Sequence, residues 1–250
     1  MGRVTISEEA SQRLAAQVAA RRGAGWLQRI DEAAAALGDV ALTLLDGVEA
    51  PQLVVVAGVG KSGAVGIATA RRLQRARMTV HLVLSAPASD LNEMAAHQLA
   101  LARRDGLEPW GLALSEAAMA ATVPIPWRSA DLLIDALLGS GIEGNPRGES
   151  ADLIRLMNAA RRPILALDRP SGLLGDEGLI LSPSVEATAT LALGALSHLH
   201  REGWPIVGEL WLADLHATAE DFAALGLPAP TRDTAPHAVH HIGSARLLTA

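Results

Sequence analysis

The stretch VVVAGVGKSGAVG, residues 54–66, decides the fold because it has the pattern of a buried strand, a glycine turn and a helix start. Gly58, Gly60 and Gly63 spell G-x-G-x-x-G, the dinucleotide fingerprint. Gly60-Lys61-Ser62 spells the end of a nucleoside-triphosphate P-loop. The same stretch is also compatible with an α/β protein that uses these glycines for a different ligand. The three interpretations predict different functions.

Each of the two nucleotide motifs lacks a partner that it needs. A P-loop has its first glycine five positions before the Gly-Lys-Ser glycine, and Val55 occupies that place inside the strand. A dinucleotide site expects an acid about twenty residues further on, to hold the ribose hydroxyls. The second apolar run ends near Ser85, and the nearest acid, Asp90, follows Pro87. A P-loop protein and a hydride-transfer dehydrogenase therefore stay only as alternatives.

The rest of the chain alternates short apolar runs with helical stretches. The runs of strand length include QLVVVAG, MTVHLVLS, SADLLIDALLG, PILALD, VEATATLALG and, as the last strand, GELWLADL, with EPWGLAL weaker. This alternation predicts a three-layer α/β/α Rossmann-like sandwich with a mainly parallel central sheet. Unbroken apolarity places residues 54–56 in a buried central strand. Ligands of such sheets bind beyond the carboxyl ends of the strands.

The N-terminal part is predicted to be helical and the C-terminal part to be irregular. Residues 5–8, Thr-Ile-Ser-Glu, resemble a capping box that opens a helix. Two separate helices, GWLQRIDEAAAALG and DVALTLLDG, are expected before the first strand. We expect residues 1–227 to form one domain and residues 228–250 to form a tail or arm.

Composition excludes several classes of function. The 250 residues contain no cysteine, which removes disulfides, thiolate nucleophiles and cysteine-ligated metal sites. The net charge of −6 argues against nucleic acid as the main partner. No apolar run approaches the roughly 18 residues that span a bilayer, and the N-terminus has no apolar signal segment. We expect a cytoplasmic protein that does not contact membranes.

Three further stretches lie where strands should end: DALLGSGIEGNPRG (135–148), LDRPSG (167–172) and TLALGA (190–195). Together with the first glycine loop and GELWLADL, their order and spacing resemble the NAD(P)H-hydrate epimerase family, the YjeF N-terminal domain type, over residues 10–227. In that family the first three loops read G-x-G-N-N-G-G-D-G, D-A-[IL]-[FL]-G-x-x-x-x-G and D-[IV]-P-S-G. Family members interconvert the R and S forms of hydrated NADH and NADPH, a metabolite-repair reaction, and usually form homodimers.

The resemblance implies a site for a small-molecule nucleotide beyond the strand ends. Asp168 would be the catalytic acid–base group at the nicotinamide end of the ligand. A potassium ion would be held by Ser62, Asp135 and Ser171. The positions implied to bind the NAD(P)-type nucleotide are Gly58, Gly60, Lys61, Ser62, Gly63, Gly139, Ser140, Gly141, Gly144, Asn145 and Arg147.

The first loop departs from the family pattern, which keeps two functions open. Lys61 and Ser62 stand where the family has two asparagines, Val65 stands where it has an acid, and Arg169 replaces an Ile or Val of the third loop. We hypothesise that the Lys61 ammonium partly replaces the cation by reaching toward Asp135 or a ligand phosphate. One function is an active epimerase, an isomerase. The other is a catalytically silent nucleotide-binding or scaffold protein on the same fold.

The histidines are expected to be ordinary core or surface residues. Two of them, His198 and His200, are expected on a loop, and three more lie in the C-terminal segment at positions 237, 240 and 241. The spacing of these three could suit a metal, but the segment offers no other type of ligand.

Overall fold

The first strand lies inside the sheet, with a strand on each side. The computed structural model describes residues 4–110, 125–228 and 239–248. Strand β1 (Gln52–Ala57) pairs in parallel with β2 (Thr79–Leu84) and with β3 (Leu132–Ala136). The three valines at residues 54–56 are each 0% exposed, because both faces of β1 are covered. The prediction of a buried central parallel strand is confirmed.

The main sheet has seven strands in the order β2-β1-β3-β4-β7-β8-β9. All neighbouring pairs are parallel except β8 and β9, and β5 and β6 form a separate small hairpin. The remaining strands are β4 (Ile164–Leu167), β5 (Leu173–Leu174), β6 (Leu179–Ile180), β7 (Ala189–Leu193), β8 (Glu209–Ala213) and β9 (Val239–Ser244). The α-helices are α1 (Glu8–Arg22), α2 (Trp26–Leu44), α3 (Lys61–Arg75), α4 (Glu93–Arg104), α5 (Gly148–Ala160), α6 (His198–Glu202), α7 (Trp204–Val207) and α8 (Ala219–Ala224).

Helices cover both faces of this sheet, which confirms the three-layer α/β/α architecture. Helices α2, α3 and α4 share one apolar core with Leu53 and Val55 of β1. Helix α5 packs on the opposite face, where its Met157 lies in a core with Val54 and Val56. Of the helices in the described part of the chain, none is long and apolar enough to cross a membrane.

Helix α2 is continuous from Trp26 to Leu44, so the prediction of two separate helices is wrong. The glycine that suggested a break, Gly38, is buried in the middle of the helix. A Cβ atom at this position would lie 3.2 Å from Cδ of Arg72 on α3. The glycine therefore permits close packing of α2 against α3 and does not end the helix.

Two further local predictions need correction. Helix α1 is capped by Ser7, whose side chain accepts a hydrogen bond from the N–H of Ala10 at 3.1 Å, and the helix does not begin at Thr5. GELWLADL is not the last strand, because residues 239–244 form the antiparallel edge strand β9 beside β8. The weak strand EPWGLAL falls partly outside the described residues, and its Trp110 makes a single parallel bridge with Val83.

The carboxylate of Asp221 on α8 holds Arg21, near the end of the N-terminal helix α1. Asp221, only 2% exposed, accepts hydrogen bonds from Nε and Nη2 of Arg21 at 2.8 Å each. It also accepts from the N–H and the hydroxyl of Thr218 at 2.9 Å each. Burial alone would raise the pKa of Asp221, but these bonds favour the charged form and lower the pKa to about 2.

We therefore expect Asp221→Asn to lower the free energy of unfolding by about 2 kcal/mol at neutral pH. Because the folded-state pKa lies below the unfolded value, this contribution is present above about pH 4 and is lost as the pH falls toward about 2. Urea unfolding at pH 7, 4 and 2.5 measures the difference between the two proteins. Asp152→Asn, an exposed carboxylate on α5, is the control. A difference that is independent of pH would contradict the prediction.

Candidate functional site

The loops after β1 and β3 are packed backbone against backbone. The N–H of Gly58 donates to the carbonyl of Ala136 at 3.0 Å. A Cβ atom at Gly58 would lie 1.8 Å from the carbonyl oxygen of Leu137, and one at Gly63 would lie 1.8 Å from that of Gly58. Side chains are therefore excluded here. Strand β1 lies between β2 and β3, so these loops flank the point where the strand order reverses, the usual ligand crevice of an open parallel sheet.

Asp135, at the end of β3, is the most enclosed carboxylate of this crevice. It is 1% exposed, and its oxygens accept from the N–H of Ser171 at 2.7 Å and from the Ser171 hydroxyl at 2.6 Å. A third bond comes from the N–H of Leu137 at 3.1 Å. Burial raises the pKa of Asp135 to about 6 in spite of these three bonds. The carboxylate thus carries a large desolvation cost that a cation would relieve.

Ser171 connects this carboxylate with the second and third loops. Its hydroxyl accepts a bond from the N–H of Leu138 at 2.8 Å while it donates to Asp135. On the other side of the second loop, a Cβ atom at Gly139 would lie 2.6 Å from Oγ of Ser62. The three residues implied to hold potassium therefore lie on loops that touch one another.

The distal part of the second loop is more open. Asn145 Oδ1 accepts from the N–H of Ser182 at 3.0 Å, which ties this loop to the chain after β6. Arg147 is the exposed residue before α5. The other positions implied to bind a ligand here, Ser140, Gly141 and Gly144, are exposed.

Asp168, at the end of β4, presents a half-buried carboxylate beside the end of β7. Its Oδ1 accepts from the N–H of Leu193 at 3.3 Å, and its Oδ2 lies 3.6 Å from Nη2 of Arg169. Asp168 has a φ of +62°, which is uncommon for a residue with a side chain. Such strained residues cluster at functional sites. The geometry is therefore compatible with the acid–base role implied for Asp168.

Arg169 fills the position where a Val or Ile was expected, and its guanidinium is buried. It is 6% exposed, and its Nη2 lies 3.1 Å from Oε1 of Glu8 at the start of α1. The N–H of Glu8 also donates to Asp176 at 2.7 Å. These contacts hold the N-terminal helix against the third loop, an arrangement that sequence spacing alone did not indicate.

Lys61 does not form the expected pair with Asp135. It is the first residue of α3 and is exposed, and no ion pair joins it to a carboxylate within the described ranges. Asp135 instead accepts hydrogen bonds from the N–H groups of Leu137 and Ser171. The prediction of a Lys61–Asp135 contact is wrong, and contact of Lys61 with a ligand phosphate stays a prediction.

A cavity of about 580 Å³ lies next to these loops, between the N-terminal helices and the strand ends. Lys61 and Val65 of α3 line it, so the first loop faces this space. Leu193, which hydrogen-bonds Asp168, lines it as well. The apolar side chains around it include Leu14, Val18, Trp26, Ile30 and Met94. A mostly apolar cavity with a few polar groups at its edge is typical of small-molecule sites.

The histidines occupy both core and surface positions. His198 and His200 lie on the short helix α6 and not on a loop, and His200 is 1% exposed. His241 of β9 lies 3.2 Å from Glu209, and His237 falls outside the described residues. In the described residues, no group of three or more His, Cys, Asp or Glu side chains could hold a metal ion.

Comparison with known proteins identifies the family to which these loops belong. The family described as YjeF-related protein N-terminus matches residues 26–199. The chain belongs to this family. It is 31% identical over 213 residues to the NAD(P)H-hydrate epimerase of Dehalogenimonas lykanthroporepellens, covering 82% of this chain and 79% of that protein.

Two other proteins are similar to this chain, one in sequence and one in structure. The bifunctional NAD(P)H-hydrate repair enzyme Nnr of Salinibacter ruber is 32% identical over 203 residues, which cover 77% of this chain and 35% of that longer protein. The crystal structure of yeast ynu0, YNL200c, superposes with a TM-score of 0.78 at 14% identity, over 96% of this chain and 100% of the other. The fold is thus that of the YjeF-related family.

The close packing of the first loop leads to a matched pair of glycine substitutions. Gly58→Ala would put a methyl group into the Leu137 carbonyl, whereas Gly60→Ala would meet nothing within 4 Å. We expect Gly58→Ala to lower the free energy of unfolding by about 1–3 kcal/mol or more, as overpacking does. We expect Gly60→Ala to change it by less than about 0.5 kcal/mol. Urea unfolding measures both, and equal effects would contradict the described packing.

Proposed function

We propose that this protein is an NAD(P)H-hydrate epimerase, which interconverts the R and S forms of hydrated NADH and NADPH. The observation that carries the proposal is the position of Asp168. Its half-buried carboxylate lies at the strand ends of a YjeF-related fold, bonded to a residue of the adjoining cavity. Relatives named NAD(P)H-hydrate epimerase share about a third of their aligned residues with this chain, which supports the same activity.

The chemistry needs an acid–base group and little else from the protein. Epimerisation inverts one stereocentre, so a bond to that carbon must break and re-form on the opposite face. A proton has to be given and taken back in the course of this exchange. Asp168 is the residue suited to this step, because its side chain is 36% exposed while its Oδ1 accepts a hydrogen bond from the N–H of Leu193.

The nucleotide part of the substrate would lie over the first and second loops. The turn ends at Gly60, which leaves the N-terminus of α3 without a side-chain cap, and helix N-termini favour anionic groups. Lys61 projects at the same place without a carboxylate partner in the described structure. The cavity lined by Lys61, Val65 and Leu193 offers room for an apolar ring beside it. These features support binding of a phosphorylated nucleotide.

The residues present fit a monovalent cation. The candidate ligands are all oxygen atoms, from the Asp135 carboxylate and the hydroxyls of Ser171 and Ser62, and hard cations prefer oxygen. Burial raises the pKa of Asp135 to about 6, and a cation beside the carboxylate would favour its charged form. Potassium held there would supply positive charge near the substrate phosphates and fix the three loops relative to one another.

We expect Asp168→Asn to lower epimerisation by at least about 100-fold, because an amide cannot shuttle a proton. The assay follows loss of the R epimer when an S-specific dehydratase consumes the S form. Asp152→Asn on α5 makes the same chemical change on an exposed side chain and should retain full activity. Urea unfolding of both variants shows whether the fold is intact. An active Asp168→Asn protein would remove Asp168 from the mechanism.

Potassium should stabilise the folded protein if Asp135, Ser171 and Ser62 hold it. At about ten times its Kd, a bound ion adds about 1.4 kcal/mol to the free energy of unfolding. Melting temperature is compared in potassium and in a bulky organic cation at constant ionic strength. Ser62→Ala removes one oxygen ligand and should reduce the potassium-dependent gain. A wild-type melting temperature that is the same in both salts would contradict the potassium site.

The altered first loop favours one other candidate, a catalytically silent nucleotide-binding or scaffold protein. Val65 stands at the edge of the cavity where family members have an acid, so a polar contact to the ligand is lost. Absence of turnover in the wild-type protein, with binding of NADP retained, would favour this candidate.

We also propose that the protein is a cytoplasmic homodimer. Three leucines of α2, Leu27, Leu42 and Leu44, are exposed and support a subunit contact on that helix.

A further inference from the structure

We propose that His200 is a positioning residue for Asp168, holding the backbone of the third loop so that the Asp168 carboxylate keeps its place. This inference rests on the proposed function. His200 lies on helix α6, more than thirty positions along the chain from Asp168. Its Nε2 is nonetheless 2.6 Å from the carbonyl oxygen of Asp168. The imidazole therefore joins α6 to the loop that carries the proposed catalytic group.

The hydrogen-bond partners of His200 determine its tautomer. Nδ1 accepts a bond from the backbone N–H of Ser197 at 3.0 Å, and this donor cannot reverse its role. Nδ1 must therefore be unprotonated, so Nε2 of the neutral ring carries the proton and donates it to the Asp168 carbonyl, which can only accept. The ring is 1% exposed, and burial lowers the pKa of His200, which favours this neutral form.

The backbone of Asp168 needs such support because its conformation is strained. A φ of +62° is uncommon for a residue with a side chain, and strain of this kind persists only where the surroundings enforce it. The N–H of Asp168 donates to the carbonyl of Leu191 at 2.7 Å. His200 holds the carbonyl of the same residue. Both backbone polar groups of Asp168 are thus fixed, and the direction of its side chain with them.

The N-terminal segment supports Ser197, the residue that bonds the His200 ring. Ile6, which is buried, donates from its N–H to Leu196 at 3.0 Å and accepts from the N–H of His198 at 2.9 Å. These two bonds enclose Ser197, which caps α6 and bonds the His200 ring. The support of Asp168 therefore extends from the N-terminal segment through Ser197 to His200.

Two substitutions separate positioning from simple helix capping. In His200→Asn the side-chain oxygen can replace Nδ1 as acceptor for Ser197, but the side chain is too short to reach the Asp168 carbonyl. In His200→Gln the amide N–H can replace Nε2–H toward Asp168, while the bond with Ser197 is lost. If His200 positions Asp168, kcat should fall about 10–100-fold in His200→Asn, with KM within about threefold, and His200→Gln should recover most of kcat.

A second measurement does not depend on activity. Hydrogen exchange in the peptide covering residues 166–174 should be at least about tenfold faster in His200→Asn than in the wild type. The same exchange in His200→Gln should stay close to the wild type. If the wild-type protein has no turnover, the proposed function fails, and this exchange alone decides whether His200 holds the loop.

Other outcomes overturn the proposal. Wild-type kcat and exchange in His200→Asn would show that capping of α6 is the role of His200. Equal loss in both variants would show that the ring is needed only for packing. If His200→Gln does not fold, then His200→Asn, which keeps the cap, still decides through kcat and exchange.

Discussion

The contact between the loops after β1 and β3 is the constraint on which the rest of the site depends. With the Gly58 N–H bonded to Ala136 and its α-carbon against the Leu137 carbonyl, no side chain fits between them. This packing requires glycine whatever the ligand is. Gly58 and Gly63 are therefore explained by a tight strand-to-helix turn, and the G-x-G-x-x-G pattern does not by itself indicate a dinucleotide. The missing ribose-binding acid near Ser85 agrees with that conclusion.

The close approach of these loops also accounts for the buried carboxylate. Asp135 comes at the end of β3, directly beneath the contact, where water is excluded. Three donors, two of them from Ser171, compensate part of its desolvation and join the second loop to the third. Removing one partner of such a group would leave the other buried and unpaired, which is costly. The Asp and Ser of the two family motifs thus stabilise the crevice together.

Much of the fold could be predicted from the sequence because it depends on local patterns. The apolar run at residues 54–56 predicted a central parallel strand, and alternating strands and helices predicted three layers. The break expected at Gly38 did not occur, because that glycine serves contact between α2 and Arg72, which is a tertiary effect. Strand β9 was missed since its sequence, VHHIGS, has the polar character of an exposed edge and no apolar alternation.

The candidate site was predictable only where motifs are contiguous. The strand-end residues Asp135, Asp168 and Ser171 follow from their positions in the loops. The contacts behind Asp168 join residues far apart in the chain, such as Arg169 with Glu8, and His200 with Ser197 and Asp168. Neither hydrophobic periodicity nor residue spacing in the sequence indicates contacts between residues so far apart. The spacing of Ser197 and His200 suits a cap, yet only the fold shows which carbonyl the ring reaches.

Lys61 and Val65 determine the charge and the apolar surface that the first loop presents. Lys61 is the first residue of α3, where the helix dipole disfavours a positive charge by about 0.3–1 kcal/mol, and the structure gives it no carboxylate partner in the described ranges. Val65, one turn later, adds apolar surface to the cavity. An anion bound at this helix N-terminus would meet both the dipole and the ammonium, so it would offset the cost of Lys61. If the proposed nucleotide binds at this loop, charge attraction and apolar packing would replace the amide and acid contacts of the family pattern, on glycine geometry that the β1–β3 contact keeps fixed.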